Sequence, residues 1–156
     1  MTVDVRPIDG TNFRDVVDLA VTDEQSAWIA PTARYMVLCA YGGLWHALGL
    51  YADDTPVGFA MWARDPEDGS HWIGGFLIDK SHQRRGHGRQ SMIAIIDYLR
   101  REQDATAFAL SYEPDNTIAR RLYASLGFIE TGEQEGEELV ARLGVPRDPT
   151  PVPRAS

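Results

Sequence analysis

The sequence lacks the features of a membrane protein or a disulfide-stabilised scaffold. Its 156 residues include one cysteine, Cys39, so no intramolecular disulfide can form. No apolar run approaches the roughly 20 residues that span a bilayer. No basic stretch followed by an apolar core marks a signal peptide at the N-terminus. We therefore expect a cytoplasmic protein that does not bind membranes.

Positive charge is also scarce. Fifteen Lys and Arg residues stand against 23 Asp and Glu residues, which gives a formal net charge of −8. Residues 1–80 contain five of the basic and twelve of the acidic residues, so most of the excess lies in that half. Nucleic-acid phosphates require basic surface, so we expect no nucleic-acid partner. The balance suits a cationic small molecule, and it equally suits a surface that is acidic only for solubility.

The hydrophobic pattern predicts one mixed α/β domain over residues 1–144. Val3 and Val5 mark a first strand, followed by helices at 11–20, 23–29 and 33–40. Strands are predicted at 44–51, 57–64 and 71–78 as an antiparallel meander, then a helix at 89–101, a strand at 106–110 and a helix at 116–126. The last two strands, 128–131 and 138–143, flank an acidic loop at 132–137. Residues 145–156 contain four prolines and are predicted to be a disordered tail.

Two helices show clear periodicity. In the first, apolar residues recur at i, i+3, i+4 and i+7, which predicts one buried stripe: Met92, Ile95, Ile96 and Leu99. In the second, Ile118 and Leu122 are expected to face the core, and Gly127 is expected to end the helix in the left-handed conformation. Cys39 lies in an apolar run, so a buried inert thiol is favoured over a reactive one.

Glycine and arginine are concentrated where the strand 71–78 leads into the helix 89–101. Gly86 and Gly88 allow the backbone to approach a ligand closely, and the start of the helix favours negative charge. Three cations surround this point: Arg84, Arg85 and Arg89. The segment is typical of a pyrophosphate cradle, although a solvated basic turn has the same composition. Its spacing matches neither a P-loop nor a dinucleotide-binding fingerprint.

Two segments carry a resemblance to a known family. Gln83–Gly88, with His87 between the glycines, resembles the Q/R-x-x-G-x-G/A acetyl-CoA loop of GNAT acetyltransferases. Residues 116–128 resemble the N-x-x-A-x-x-L-Y-x-x-x-G-F segment that follows it in that family. Residues 19–29, 51–61, 72–79 and 110–112 are similar to bacterial spermidine/spermine N-acetyltransferases. Taken together, the resemblance covers residues 2–143.

The resemblance implies a single-domain GNAT fold with acetyl-CoA as cosubstrate and no metal. It implies a mostly antiparallel sheet of about seven strands, helices on both faces, and a strand 71–78 that splays from the strand 106–111. Main-chain groups of Leu77 and Ile78 would pair with the pantetheine arm, and backbone amides from Arg84 to Arg89 would hold the pyrophosphate. Gln83 belongs to the same loop. The Asn116 side chain would touch the cofactor, and Tyr123 would lie near its sulfur.

The same resemblance implies direct acetyl transfer to an amine in a ternary complex, with Tyr123 protonating the departing thiolate. Asp23, Glu24 and Trp28 lie in the region that lines the acceptor groove of the family. Many relatives carry an acidic residue within the strand 71–78, but this chain has Gly74 and Gly75 there. The two glycines indicate either space for a substrate or, preferably, a bulge. The general base stays open among Asp23, Glu24, His71 and Asp79.

The leading hypothesis is an N-acetyltransferase for a small cationic amine, in particular a polyamine such as spermidine or spermine. An acyltransferase for an amine-bearing antibiotic or natural-product intermediate is the alternative within enzymes, and a protein N-terminus is a further acceptor. A non-catalytic acetyl-CoA-binding module is less favoured because Asn116 and Tyr123 are both present. The sequence leaves open a homodimer and does not identify the acceptor.

Overall fold

The computed structural model describes residues 2–145, in which seven strands form one sheet. The strands are β1 (Val3–Pro7), β2 (His46–Ala52), β3 (Thr55–Arg64), β4 (His71–Ile78), β5 (Ala107–Tyr112), β6 (Ile129–Glu135) and β7 (Glu138–Gly144). Their spatial order is β1-β2-β3-β4-β5-β7-β6, and every neighbouring pair is antiparallel except β4 and β5. Residues 146–156, which hold nearly all of the predicted tail, lie outside the described residues.

Helices cover both faces of this sheet, as the sequence predicted. They are α1 (Phe13–Val16), α2 (Thr32–Tyr41), α3 (His87–Gln103) and α4 (Thr117–Ser125). The predicted stripe of α3 is buried in one core, together with Tyr123 and residues of β5 and β7. A second core joins Val16 of α1 to β3 and β4, with the partly buried side of α2 packed against it. None of the helices within residues 2–145 is long and apolar enough to cross a membrane.

The predicted splay between β4 and β5 is present. These two strands pair only at His71↔Phe108 and Trp72↔Ala109, and β4 then diverges from β5. On its other side β4 stays paired with β3 as far as Ile78. The remaining length of β4 therefore has one edge facing an opening in the sheet rather than another strand.

The glycine pair in β4 forms a bulge, which confirms the favoured interpretation. Phe59 pairs with Leu77 and Met61 pairs with Gly74, so two residues of β4 stand opposite one residue of β3. Gly75 takes a φ of 57°, which favours glycine. A Cβ on Gly74 would lie 3.2 Å from the Trp45 ring, and one on Gly75 would lie 3.2 Å from the Tyr35 ring. Aromatic rings therefore occupy the space beside both glycines.

Three predictions about local structure were wrong, and a fourth was wrong in part, because the helix expected at 11–20 covers Phe13–Val16 alone. The helix expected at 23–29 is reduced to one 3-10 turn, Gln25–Ala27, because side chains of this segment bond to its own backbone and to distant loops. The loop expected at 132–137 is mostly strand, since β6 continues to Glu135 and pairs with β7. Ile118 was expected in the core but is 71% exposed, because its side of α4 faces a cleft.

Candidate active site

A cleft of about 1210 Å³ passes through the opening between β4 and β5. It is lined from both faces of the sheet, by residues of the α3–α4 core and by residues packed against α1 and α2. The predicted site residues that line it are Glu24, Trp28, Leu77, Ile78, Gln83, Arg84, Gly86, His87, Gly88, Asn116 and Tyr123. Asp23, Arg85 and Arg89 are absent from its lining. The cleft therefore gathers most of the residues that the sequence singled out.

The glycine-rich loop has the backbone geometry of a close ligand approach. Gly86 caps the N-terminus of α3 with a φ of 78°, and Arg84 also has a positive φ, 64°. No atom of the described residues lies within 4 Å of a Cβ built on Gly86, so the space beside it is open. A left-handed non-glycine residue is uncommon and occurs preferentially at functional sites. This end of the cleft fits an anionic group held by backbone amides.

His87 lines the cleft beside Gly86, whereas Arg89 does not. His87 is buried, and its Nδ1 has no hydrogen-bond partner within residues 2–145. Burial, followed by the charges of His82 and Arg85, lowers the pKa of His87, so the imidazole is held neutral. The Arg89 guanidinium donates to Ser125 Oγ at 2.7 Å and so ties α3 to α4. The unpartnered nitrogen of His87 and the open space at Gly86 together suit a bound ligand.

A short segment bridges the two sides of the opening. Gln83 Nε2 donates to Gln25 Oε1 at 2.7 Å and to the Ile78 carbonyl at 2.9 Å. Three residues farther along the segment, the Trp28 indole N–H donates to Asp115 Oδ1 at 3.1 Å. The segment around the turn Gln25–Ala27 thus connects the loop after β4 with the loop after β5. Gln25 and Asp115 were not predicted, because contacts this distant in sequence leave no local pattern.

Asn116 and Tyr123 lie on α4, beside the opening. The Asn116 side chain accepts from the Ala119 amide at 3.3 Å and caps the helix, while the residue also lines the cleft. Tyr123 is 8% exposed, with its ring centroid 5.6 Å from that of Tyr112 and 6.0 Å from that of Phe128. Burial, then the charges of Tyr112 and Glu138, raise the pKa of Tyr123 above its ordinary value. Its phenol therefore stays protonated and able to donate.

A hydrogen-bond network with Glu130 and Arg120 holds the Tyr112 hydroxyl in place. The hydroxyl donates to Glu130 Oε1 at 2.8 Å, and both oxygens of Glu130 accept from Arg120, at 2.7 and 3.1 Å. Burial and then the bond to Glu130 raise the pKa of Tyr112 to about 12. Arg120 lies on α4, the helix that carries Tyr123, and Glu130 lies on β6. The network therefore holds Tyr112 in a fixed position relative to that helix.

The proposed general bases are not equally placed. Asp79 accepts from the amides of Ala20 and Ser81, which gives it a structural role at the end of β4. His71 is 3% exposed beneath the Trp62 ring, and burial followed by the charge of Arg64 lowers its pKa. Neither lines the cleft, and nor does Asp23. Of the four candidates, Glu24 is the one that reaches the cleft, where it is exposed.

Sequence reasoning missed a group of carboxylates at the edge of the sheet where β5 ends and β7 begins. Glu113, Glu135 and Glu138 all line the cleft, and Glu135 pairs directly with Glu138 across the β6–β7 hairpin. The Ser111 hydroxyl donates to Glu138 Oε1 at 3.0 Å. Side chains alternate along a strand, and Leu139 belongs to the α3–α4 core, so Glu138 is on the face of α1 and α2. The two faces of the opening therefore differ in chemistry.

Cys39, the one cysteine of the chain, does not line the cleft. Cys39 is partly buried on α2, with its Sγ 3.8 Å from Met61 Sδ, and burial raises its pKa to about 11. A protonated thiol is a poor nucleophile, so the preference for an inert cysteine agrees with its surroundings. Within residues 2–145 no three His, Cys, Asp or Glu side chains are grouped as a metal site.

Comparison with known proteins identifies the family. The model of the acetyltransferase (GNAT) family matches residues 13–128, which is most of the chain. The chain belongs to the GNAT acetyltransferase family. It is an acyltransferase enzyme, and the fold and the family resemblance predicted from the sequence are confirmed.

Two curated relatives of this GNAT acetyltransferase come from Bacillus subtilis. One, from strain BEST195 of subspecies natto, is a probable spermine N(1)-acetyltransferase, 29% identical over 150 residues, which cover 91% of this chain and 99% of the relative. The other, from strain 168, is a spermine/spermidine N(1)-acetyltransferase, 28% identical over the same shares of both chains.

Solved structures show the same fold. An acetyltransferase from Thermus thermophilus matches with a TM-score of 0.73 at 18% identity, over 93% of this chain and 98% of that one. A spermidine N-acetyltransferase from Vibrio cholerae, in complex with CoA and spermine, matches with a TM-score of 0.69 at 16% identity, over 90% and 93% of the two chains.

Proposed function

We propose that this acetyltransferase transfers the acetyl group of acetyl-CoA to a primary amine of a polyamine such as spermidine or spermine. The observation that carries the proposal is the cleft through the sheet. On one face it has the open loop of Gly86 and the N-terminus of α3, and on the other it has carboxylates. The first suits an anionic pyrophosphate and the second suits ammonium groups. The names of the Bacillus subtilis relatives support the same acceptor class.

The residues present fit acetyl-CoA. The free edge of β4 at Leu77 and Ile78 supplies main-chain groups for the pantetheine arm, and Asn116 lines the same passage. The loop of Gln83, Arg84, Gly86, His87 and Gly88 lines the cleft and is suited to the pyrophosphate. When bound, acetyl-CoA supplies the acyl group as an activated thioester.

Tyr123 has the properties of a proton donor to the departing sulfur. It is buried beside the opening, its neighbours hold its ring in place, and its raised pKa keeps the phenol protonated. The backbone amide near Leu77 would polarise the thioester carbonyl. Direct transfer in a ternary complex is favoured over an acyl-cysteine, because Cys39 does not line the cleft.

A thiol-release assay against a panel of amines tests the acceptor. The panel contains polyamines, aminoglycosides, free amino acids and short peptides with a free N-terminus. We expect the highest kcat/KM for spermidine or spermine. Release with aminoglycosides or peptides but not with polyamines would replace the proposal with the antibiotic or protein-N-terminus alternative.

Ionic strength gives a second test within the same assay. Long-range attraction between the carboxylate face and a polycation is screened beyond about 8 Å at 0.15 M salt. The kcat/KM for spermine should therefore fall as salt rises, while that for an amine with one positive charge should change much less. Equal salt dependence for both amines would mean that the acidic residues serve solubility alone.

A further inference from the structure

One group in the proposed reaction has not been assigned: the base that removes the proton from the attacking nitrogen. Three of the four candidates named from the sequence do not line the cleft, and the fourth, Glu24, is exposed to water at its rim. The strand β4 contains no Asp or Glu residue, since glycines occupy its centre. The carboxylates on other elements that line the cleft, among them Glu113, Glu135 and Glu138, are therefore the next candidates.

Glu138 is a cleft carboxylate that a side chain of a neighbouring strand holds in place. It is half-buried at the start of β7, and Ser111 of β5 donates to one of its oxygens at 3.0 Å. Glu135 also lines the cleft but is exposed, and Glu113 has no side-chain hydrogen bond within residues 2–145. Glu138 lines the same cleft as Tyr123, the residue assigned to protonate sulfur. Its charge is also among the causes that raise the pKa of Tyr123.

Glu138 and Glu135 form a pair of like charges in the lining of the cleft. The two residues stand directly opposite one another across the β6–β7 hairpin, on the same face. Like charges in this arrangement destabilise a hairpin, and no Lys, Arg or His within residues 2–145 forms an ion pair with either carboxylate. An ammonium group of the acceptor would neutralise this pair and bring its neighbouring amine nitrogen to Glu138.

We propose that Glu138 is the general base for the attacking nitrogen and that Ser111 is its positioning residue. This inference rests on the proposed function. The ammonium first releases one proton to solvent. As the nitrogen forms its bond to the acyl carbon, the excess N–H proton passes to a Glu138 oxygen, the carbon–sulfur bond breaks, and Tyr123 gives its proton to sulfur. Proton transfer through water from Glu138 to Tyr123 restores both residues, so the net products are one amide, one thiol and one proton.

Glu138→Gln tests the proposal, with Glu135→Gln as the matched control. Both variants remove one negative charge from the same pair, but the proposal assigns proton transfer to Glu138 alone. We expect Glu138→Gln to lower kcat by roughly 10²–10⁴-fold at saturating substrates. We expect Glu135→Gln to change the acceptor KM with kcat within about threefold of wild type. Both variants should keep the melting-temperature shift that acetyl-CoA produces, which shows that they are folded and bind the donor.

Two further variants separate catalysis from binding. Ser111→Ala frees the Glu138 carboxylate and should lower kcat by about tenfold while the acceptor KM changes little, whereas a purely structural role would lower the melting temperature alone. Glu138→Asp keeps the base at a greater distance and should retain more kcat than Glu138→Gln. A Glu138→Gln variant with wild-type kcat and a raised KM would overturn the proposal and make Glu138 a binding residue. A wild-type protein that acetylates no amine would instead overturn the proposed function.

Discussion

The most informative single perturbation is Gly86→Val, because Gly86 combines an open space with a special backbone conformation. Its φ is 78°, and a Cβ there would have open space around it on a residue that lines the cleft. Gly132→Val is the matched control. Gly132 has a φ of 87° and equally open surroundings, but it lies on the exposed strand β6 away from the cleft.

The expected magnitudes follow from backbone strain and ligand linkage. A left-handed conformation costs a residue with a side chain roughly 1–2 kcal/mol, so each variant should melt about 2–8 °C below wild type. Acetyl-CoA at about 100 times its Kd should stabilise the wild type by about 2.7 kcal/mol, which raises its Tm by roughly 5–11 °C. If the valine weakens binding about 100-fold, the same concentration stabilises Gly86→Val by about 0.4 kcal/mol, or roughly 1 °C.

Thermal melting with and without acetyl-CoA measures both quantities on the three proteins. We expect Gly132→Val to show the full ligand-induced shift from a lowered starting Tm. Gly86→Val should start from a similarly lowered Tm and show almost no shift. An equal shift in all three proteins would refute the assignment of the loop 83–89 to the pyrophosphate.

Three other predictions concern chemistry, the acceptor and pH. Tyr123→Phe should lower the single-turnover rate by roughly 10- to 10⁴-fold with acetyl-CoA binding retained, and an unchanged rate would leave Tyr123 a core residue. Glu24→Gln should raise the polyamine KM in initial-rate assays, because Glu24 lines the cleft. Asp23→Asn should not raise it, because Asp23 does not line the cleft, and equal effects of the two variants would contradict this. Burial lowers the pKa of His71, so the unfolded chain binds a proton below about pH 6.5 that the folded chain does not, and Tm should fall from pH 7 to pH 5. His71→Phe should flatten that fall, and an unaltered slope would show that other groups cause it.

The sequence predicted the elements whose pattern reflects burial. The stripe of α3 and the apolar runs of β2 to β5 result from packing against the two cores, so the hydrophobic pattern located them. Strand β6 is exposed along its whole length, so its residues show no alternation and its second half was predicted to be a loop. Ile118 shows the opposite error, since an apolar stripe on α4 does not reveal whether it faces the core or a cleft.

The candidate site residues that could be named from the sequence are those whose motifs are consecutive in the chain. The loop 83–89 and the helix of Asn116 and Tyr123 could be recognised from their spacing, and most of their residues meet in the cleft. The position of Glu138 in the cleft and the bond of Asp115 to Trp28 could not be predicted, because strand register and loop contacts determine them. The charge count pointed to residues 1–80 for acceptor binding. Among the described residues, Glu24 and Asp65 of that half line the cleft, but so do Glu113, Glu135 and Glu138 of the other half. A net charge along the chain does not report which carboxylates share a surface.

The most direct test of the proposed activity is mass analysis of the product formed from purified protein, acetyl-CoA and spermine. We predict a spermine molecule that gains one acetyl group, with free thiol released in equal amount, and loss of both products in Tyr123→Phe over the same time. Thiol release without acetylated spermine would mean that the donor is only hydrolysed. No reaction with spermine or spermidine at millimolar concentration, with acetylation of another amine in its place, would contradict the account.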